Sequence, residues 1–109
     1  GYLITTDKLG KGSDDLGKIL MKSFIYTLTE SVPYPSTLVF YNSGVFLTCE
    51  GSEVIDDLKK LEDKKVEILS CGTCLDFFNM KDKLQVGEVT NMYNILEKLK
   101  NTASNITIG

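Results

Sequence analysis

Hydrophobic and polar positions alternate along this chain in two periods. Tyr2-Leu3-Ile4-Thr5-Thr6 is a short β-type run, and Thr37-Leu38-Val39-Phe40-Tyr41 and Val66-Glu67-Ile68-Leu69 are two further strand segments. The run at 37–41 is apolar throughout, as a strand covered on both faces should be. Between them the period lengthens. Leu16, Ile19, Leu20, Phe24 and Leu28 recur at helical spacing, with Ser13 as N-cap and Asp14 and Asp15 in the first turn. This helix should end near Glu30, before Pro33 and Pro35. Val54, Ile55, Leu58 and Leu61 form a second helical stripe that Ser52 can cap, and Glu62-Asp63-Lys64-Lys65 is its solvated end. Leu75, Phe77 and Phe78 predict a short helix, followed by a polar loop through Val86-Gly87-Glu88-Val89. Met92, Ile95, Leu96 and Leu99 predict a last helix capped by Thr90 or Asn91, and Ile106-Thr107-Ile108 can close as a strand.

Strands that alternate with helices predict an α/β domain. Its sheet should be mostly parallel, of about five strands, with helices on both faces. In open sheets of this kind ligands bind beyond the carboxyl ends of the strands. Three loops fall at that edge: residues 7–13, 42–44 and 70–74. With 109 residues there is room for one domain, spanning 1–109. The chain enters Tyr2-Leu3-Ile4 directly after Gly1, so it reads as a domain excised from a longer protein.

Composition narrows the chemistry. A net charge of −3 lacks the basic excess that phosphate backbones require, so nucleic acid is not an expected partner. No apolar run is long enough for a membrane span, and no charged segment leads into a signal-type apolar stretch. Three cysteines, two of them three positions apart, suit a cytoplasmic thiol site better than a disulfide framework. Histidine is absent, which removes Ser-His-Asp and Cys-His catalysis and the common zinc hydrolase sites.

The remaining chemistry centres on Cys71-Gly72-Thr73-Cys74. Thiolate is the reactive form, and without histidine its pKa must be lowered by other means, such as N–H groups at the start of a helix. Gly72 permits a tight turn, and Thr73 can cap the helix or donate to a sulfur. The spacing lets one thiol attack and the other resolve, as in thiol–disulfide exchange, and it equally fits persulfide transfer. Either cysteine can instead be packing, because cysteine is among the most buried residue types. A closed zinc site would need Asp76 or a second subunit as a further ligand, so neither metal nor cofactor is expected. Cys49 reads as a core residue or an accessory thiol. Gly12-Ser13 and Asn42-Ser43-Gly44 are candidates for an anion- or substrate-binding lining, or plain turns.

Four segments occur in order: Asn42-Ser43-Gly44-Val45, Gly51-Ser52-Glu53-Val54, Cys71-Gly72-Thr73-Cys74-Leu75-Asp76-Phe77-Phe78, and Val86-Gly87-Glu88-Val89-Thr90-Asn91-Met92. Together they resemble the C-terminal, DsrE-like domain of the YedF-type sulfurtransferase-like proteins linked to selenium metabolism. The resemblance implies a DsrE-like three-layer fold, association into homo-oligomers, and a missing upstream TusA-like domain or another donor protein as partner. It also implies a reactive cysteine in the loop after the third main strand, best matched by Cys71, with Cys74 additional. Three functions follow as expectations: a sulfurtransferase or persulfide carrier, a non-catalytic binding or oligomerisation module, and a dithiol–disulfide oxidoreductase.

Overall fold

The computed structural model describes residues 1–109. Five strands, β1 (Tyr2–Ile4), β2 (Thr37–Phe40), β3 (Glu67–Cys71), β4 (Glu88–Thr90) and β5 (Ile106–Ile108), form one sheet in the order β4-β3-β2-β1-β5. Every pairing is parallel. Parallel neighbours need crossovers, and four helices supply them: α1 (Asp14–Glu30), α2 (Ile55–Asp63), α3 (Gly72–Phe77) and α4 (Met92–Asn101). The expected α/β architecture, a parallel sheet of five strands with helices on both faces, is therefore present.

The two faces are covered unequally. The first three crossovers step across the sheet in one direction, from β1 to β4, and the last returns past β1 to β5. Right-handed connections then put α1, α2 and α3 on one face and α4 on the other. The cores agree. Met21, Ile25, Leu58, Leu61 and Leu75 pack with Ile4, Leu38, Phe40 and Ile68 in a cluster of 16 buried residues. Opposite them, Val39, Cys71 and Ile95 form a cluster of only 3, flanked by Leu3, Tyr41, Cys74 and Leu99. Strand alternation explains the division, since Leu38, Phe40 and Ile68 face one way while Val39 and Cys71 face the other.

Local signals acted where the sequence placed them, with three differences. Ser13 caps α1 by accepting the Leu16 N–H at 3.2 Å, and Asn91 caps α4 by accepting the Asn94 N–H at 2.8 Å. Ser52 accepts the Val54 N–H at 3.2 Å just before α2, while the N-cap itself is Val54, which makes no side-chain bond. The first difference is in α1, whose inward face is Gly17, Met21, Ile25 and Leu28, whereas Leu16, Ile19 and Leu20 are exposed. Of the expected stripe, Leu28 is buried and Phe24 packs against the core, but apolar residues surround most of this helix, so spacing alone did not fix which face turns inward. The same holds in α4, where Ile95 is buried but Met92 and Leu96 are exposed. The third is β4, which lies inside the expected polar loop. It has only three residues, and its pairing with Leu69–Cys71 creates it.

Candidate functional site

β3 runs into α3 with no loop between them. Cys71 is both the last residue of the strand and the N-cap of the helix, with extended backbone angles (φ −66°, ψ 122°). Gly72 makes this junction possible. A Cβ there would stand 3.0 Å from Val89 Cγ1 and 3.2 Å from the Thr90 carbonyl oxygen, so a side chain would push α3 off β4. Cys74 follows one turn later. The carboxyl edge of the sheet is thus where both thiols lie, as expected for an open parallel sheet.

The two thiols differ in exposure. Cys71 is 2% exposed, on the α4 face with Val39 and Ile95. Cys74 is half-buried and packs against both cores, at the rim between the layers. Its Sγ accepts a hydrogen bond of 3.0 Å from the backbone N–H of Asn42. That residue opens a 3-10 helix over Asn42–Thr48, and its φ of 52° lies in the left-handed region that asparagine tolerates. The extended backbone of Tyr41 carries the N–H of Asn42 to the Cys74 sulfur, and the left-handed φ of Asn42 then turns the chain into the 3-10 segment. The start of the 3-10 segment and the start of α3, both expected as loops, are therefore joined by an N–H···S bond.

Burial pushes the Cys74 thiol above its ordinary pKa, the adjacent Cys71 thiol pushes it further, and the Asn42 N–H pulls it back. Cys74 is therefore raised, not lowered as a thiol at the N-terminus of α3 would be. α3 is a single short helix without a side-chain cap, and Thr73 is exposed in its first turn. The hydrogen bond to sulfur comes from the N–H of residue 42, and among residues 72–74 only the backbone N–H of Cys74 itself also draws the thiol's pKa down. Nothing in the C-x-x-C spacing could have revealed this, although Asn-Ser-Gly after a strand does signal a left-handed turn.

The other candidates separate. Cys49 is fully buried in the larger core, where its Sγ lies 3.9 Å from both the Thr48 hydroxyl and the Met80 carbonyl. Burial raises its pKa, with the Thr48 hydroxyl opposing. It is a packing thiol. Ser13 is occupied in capping α1, and Gly12 is exposed with open space around it. Ser43 is half-buried within the 3-10 segment. Gly44 is buried against the end of β1, where an added Cβ would meet the Ile4 carbonyl oxygen at 2.2 Å. Its role is to seat the 3-10 segment on the sheet. Behind that segment the Thr48 hydroxyl donates to the Val45 carbonyl (2.9 Å) and shares a hydrogen bond with Ser70 (2.8 Å), both residues being fully buried.

A cleft of about 720 Å³ was not foreseen. It lies between α1 and residues 46–54, with Lys18 and Lys22 facing Glu50 and Glu53 above Phe46 and Leu47. Neither Cys71 nor Cys74 lines it. It meets the thiol region only through the 3-10 segment, whose Phe46 ring packs 4.7 Å from that of Phe78, just after α3. No cluster of cysteine, aspartate and glutamate has metal-binding geometry, and no helix is long and apolar enough to cross a membrane.

These features define a five-stranded parallel α/β domain with a two-thiol edge. No family model matches the chain, and no curated protein does. Solved structures do. One is MTH1491 from Methanobacterium thermoautotrophicum, a protein of unknown function, with a TM-score of 0.71 and 21% identity over 97% of this chain and 95% of that one. Another is the ychN protein from E. coli, with a TM-score of 0.70 and 15% identity over 97% of each chain. At such identities the likeness is one of fold.

Proposed function

We propose that this domain handles sulfane sulfur, or its selenium analogue, with Cys74 as the thiol that meets the donor. The observation that carries this reading is the Asn42 N–H held 3.0 Å from the half-exposed Cys74 Sγ at the carboxyl edge of the sheet. A backbone donor aimed at sulfur stabilises developing negative charge without adding a side chain that would itself react. Cys71 is too deeply buried to meet a donor protein, so the roles of the pair are the reverse of those the resemblance implies. In the loading step the Cys74 thiolate attacks the outer sulfur of a donor persulfide, R–S–SH. A new S–S bond forms at Cys74, the donor's S–S bond breaks, and R–S⁻ leaves with the electron pair. No net oxidation occurs. The raised pKa of Cys74 limits the thiolate fraction at neutral pH, but a more basic thiolate is also the stronger nucleophile. The donor is a TusA-like domain or another persulfide protein, and the setting is cytoplasmic.

Exposure of the native protein to glutathione persulfide, followed by alkylation and peptide mass mapping, tests the reading. One added sulfur on the peptide bearing Cys74, lost in Cys74→Ser, is the expected result. No added sulfur on any cysteine would refute it.

A second reading, an assembly module, has its own support. Leu16, Ile19, Leu20 and Tyr26 give α1 an outward apolar face, and Met92, Tyr93 and Leu96 do the same for α4. Surfaces of this kind suit homo-oligomers. Light scattering would report the assembly state, and a monomer at high concentration would remove the support for this reading.

A further inference from the structure

Cys71 has no evident use in a simple carrier. It is buried, bears no charged partner, and lies one helical turn from the loading thiol in the same small cluster. Packing alone could be served by valine or alanine, yet this position places a second thiol in the buried cluster against which Cys74 packs. Cys74 is half-buried and Cys71 is 2% exposed, so a donor meets Cys74 first and Cys71 stays inside, one helical turn away.

We infer that the domain discharges its cargo reductively: Cys71 attacks Cys74 Sγ in the persulfide and releases the outer sulfur as hydrosulfide. This rests on the loading reaction proposed above and names its product. The balance is simple. The Cys71 Sγ–Cys74 Sγ bond forms and the bond from Cys74 Sγ to the outer sulfur breaks. The outer sulfur leaves as HS⁻ with the bonding pair, and the Cys71 proton passes to water. The two thiols are oxidised to a disulfide, and sulfane sulfur is reduced to sulfide. A dithiol reductant must then restore the pair, so the domain stands between a reaction that makes a persulfide and one that consumes sulfide. A selenium cargo would leave as hydroselenide, and faster, because the better leaving group is the one of lower pKa.

Two structural conditions favour this route over transfer to an outside thiol. Burial shields Cys71 from donor and reductant alike, so its accessible electrophile is the persulfide on Cys74. The connection between the two residues is a strand end and one helical turn, which is the C-x-x-C arrangement that closes into a disulfide readily.

The test compares the wild-type protein with Cys71→Ser and Cys71→Ala, each reduced, desalted and given a limiting amount of glutathione persulfide. Free sulfide is followed with a fluorogenic reagent, and the protein is mapped by mass after alkylation. In wild type, sulfide release should parallel the appearance of a Cys71–Cys74 disulfide. Both Cys71 variants should hold the added sulfur on Cys74 and release sulfide more slowly by an order of magnitude or more. If wild type instead retains the sulfur on Cys74 as long as the variants do, reductive discharge is wrong while loading stands. If no protein takes up sulfur, loading itself is wrong and discharge falls with it. Should the variants fold poorly, wild type alone decides, since sulfide release without the disulfide overturns the inference.

Discussion

Gly44→Ala is the substitution that most sharply links the fold to the thiol. The alanine Cβ would stand 2.2 Å from the Ile4 carbonyl oxygen and 3.1 Å from its carbon, where contacts under 3.0 Å are essentially never seen. Both neighbours are backbone atoms of the interior strand β1, which pairs with β2 on one side and β5 on the other. They cannot swing aside, so the 3-10 segment must lift. Overpacking of this kind costs about 1–3 kcal/mol. Lifting the segment also withdraws the Asn42 N–H from Cys74 Sγ. A hydrogen bond to a charged group contributes about 1.5–3 kcal/mol, and a half-exposed sulfur belongs at the low end. At 1.36 kcal/mol per pKa unit, losing it lowers the thiolate population at neutral pH about tenfold. The assay is twofold: urea unfolding by circular dichroism, and the rate of iodoacetamide labelling at Cys74 below the unfolding range. Lower stability with slower Cys74 labelling is expected. A variant as stable as wild type, or one that is destabilised yet labels Cys74 at the wild-type rate, would refute the coupling.

Three other outcomes are expected. Gly87→Ala should destabilise by at least about 1–3 kcal/mol in urea unfolding, because Gly87 has φ of 76° and a Cβ would meet the Ile68 carbonyl oxygen at 2.4 Å; wild-type stability would mean β4 docks otherwise. Thr48→Val should cost about 1–3 kcal/mol by leaving the buried Ser70 hydroxyl without its partner, and adding Ser70→Ala should recover part of that loss. Cys49 and Cys74 hold their protons more tightly folded than unfolded, so their contribution to stability is complete below about pH 8.5 and declines as pH rises through the folded values. Unfolding midpoints from neutral to alkaline pH should fall, and fall less in Cys74→Ser; an equal slope in both proteins would contradict the assignment for Cys74.

Much of this architecture was legible in the residues because it is local. Ser13 and Asn91 announce helix starts, and the apolar run at 37–41 announces a doubly covered strand. Strand–helix alternation then dictates a parallel sheet and places loops 42–44 and 71–74 on one edge. What escaped was set by distant partners. β4 exists through its pairing with β3, and the exposed stripes on α1 and α4 follow from which side of each helix met the sheet. The same is true of the site. Spacing identified two thiols but not their inequality, which arises because α4 buries Cys71 beneath Ile95 while Cys74 remains at the rim. The direction of the Cys74 pKa depended on that burial and on the Asn42 N–H, neither of which a four-residue motif contains.

The most direct measurement of the central claim is the position of the first sulfur atom taken up by the native wild-type protein, mapped at early times among Cys49, Cys71 and Cys74. That sulfur should appear on Cys74, with Cys49 unmodified and Cys71 altered only afterwards, as the disulfide. First appearance on Cys71, or no uptake until the protein unfolds, would contradict it.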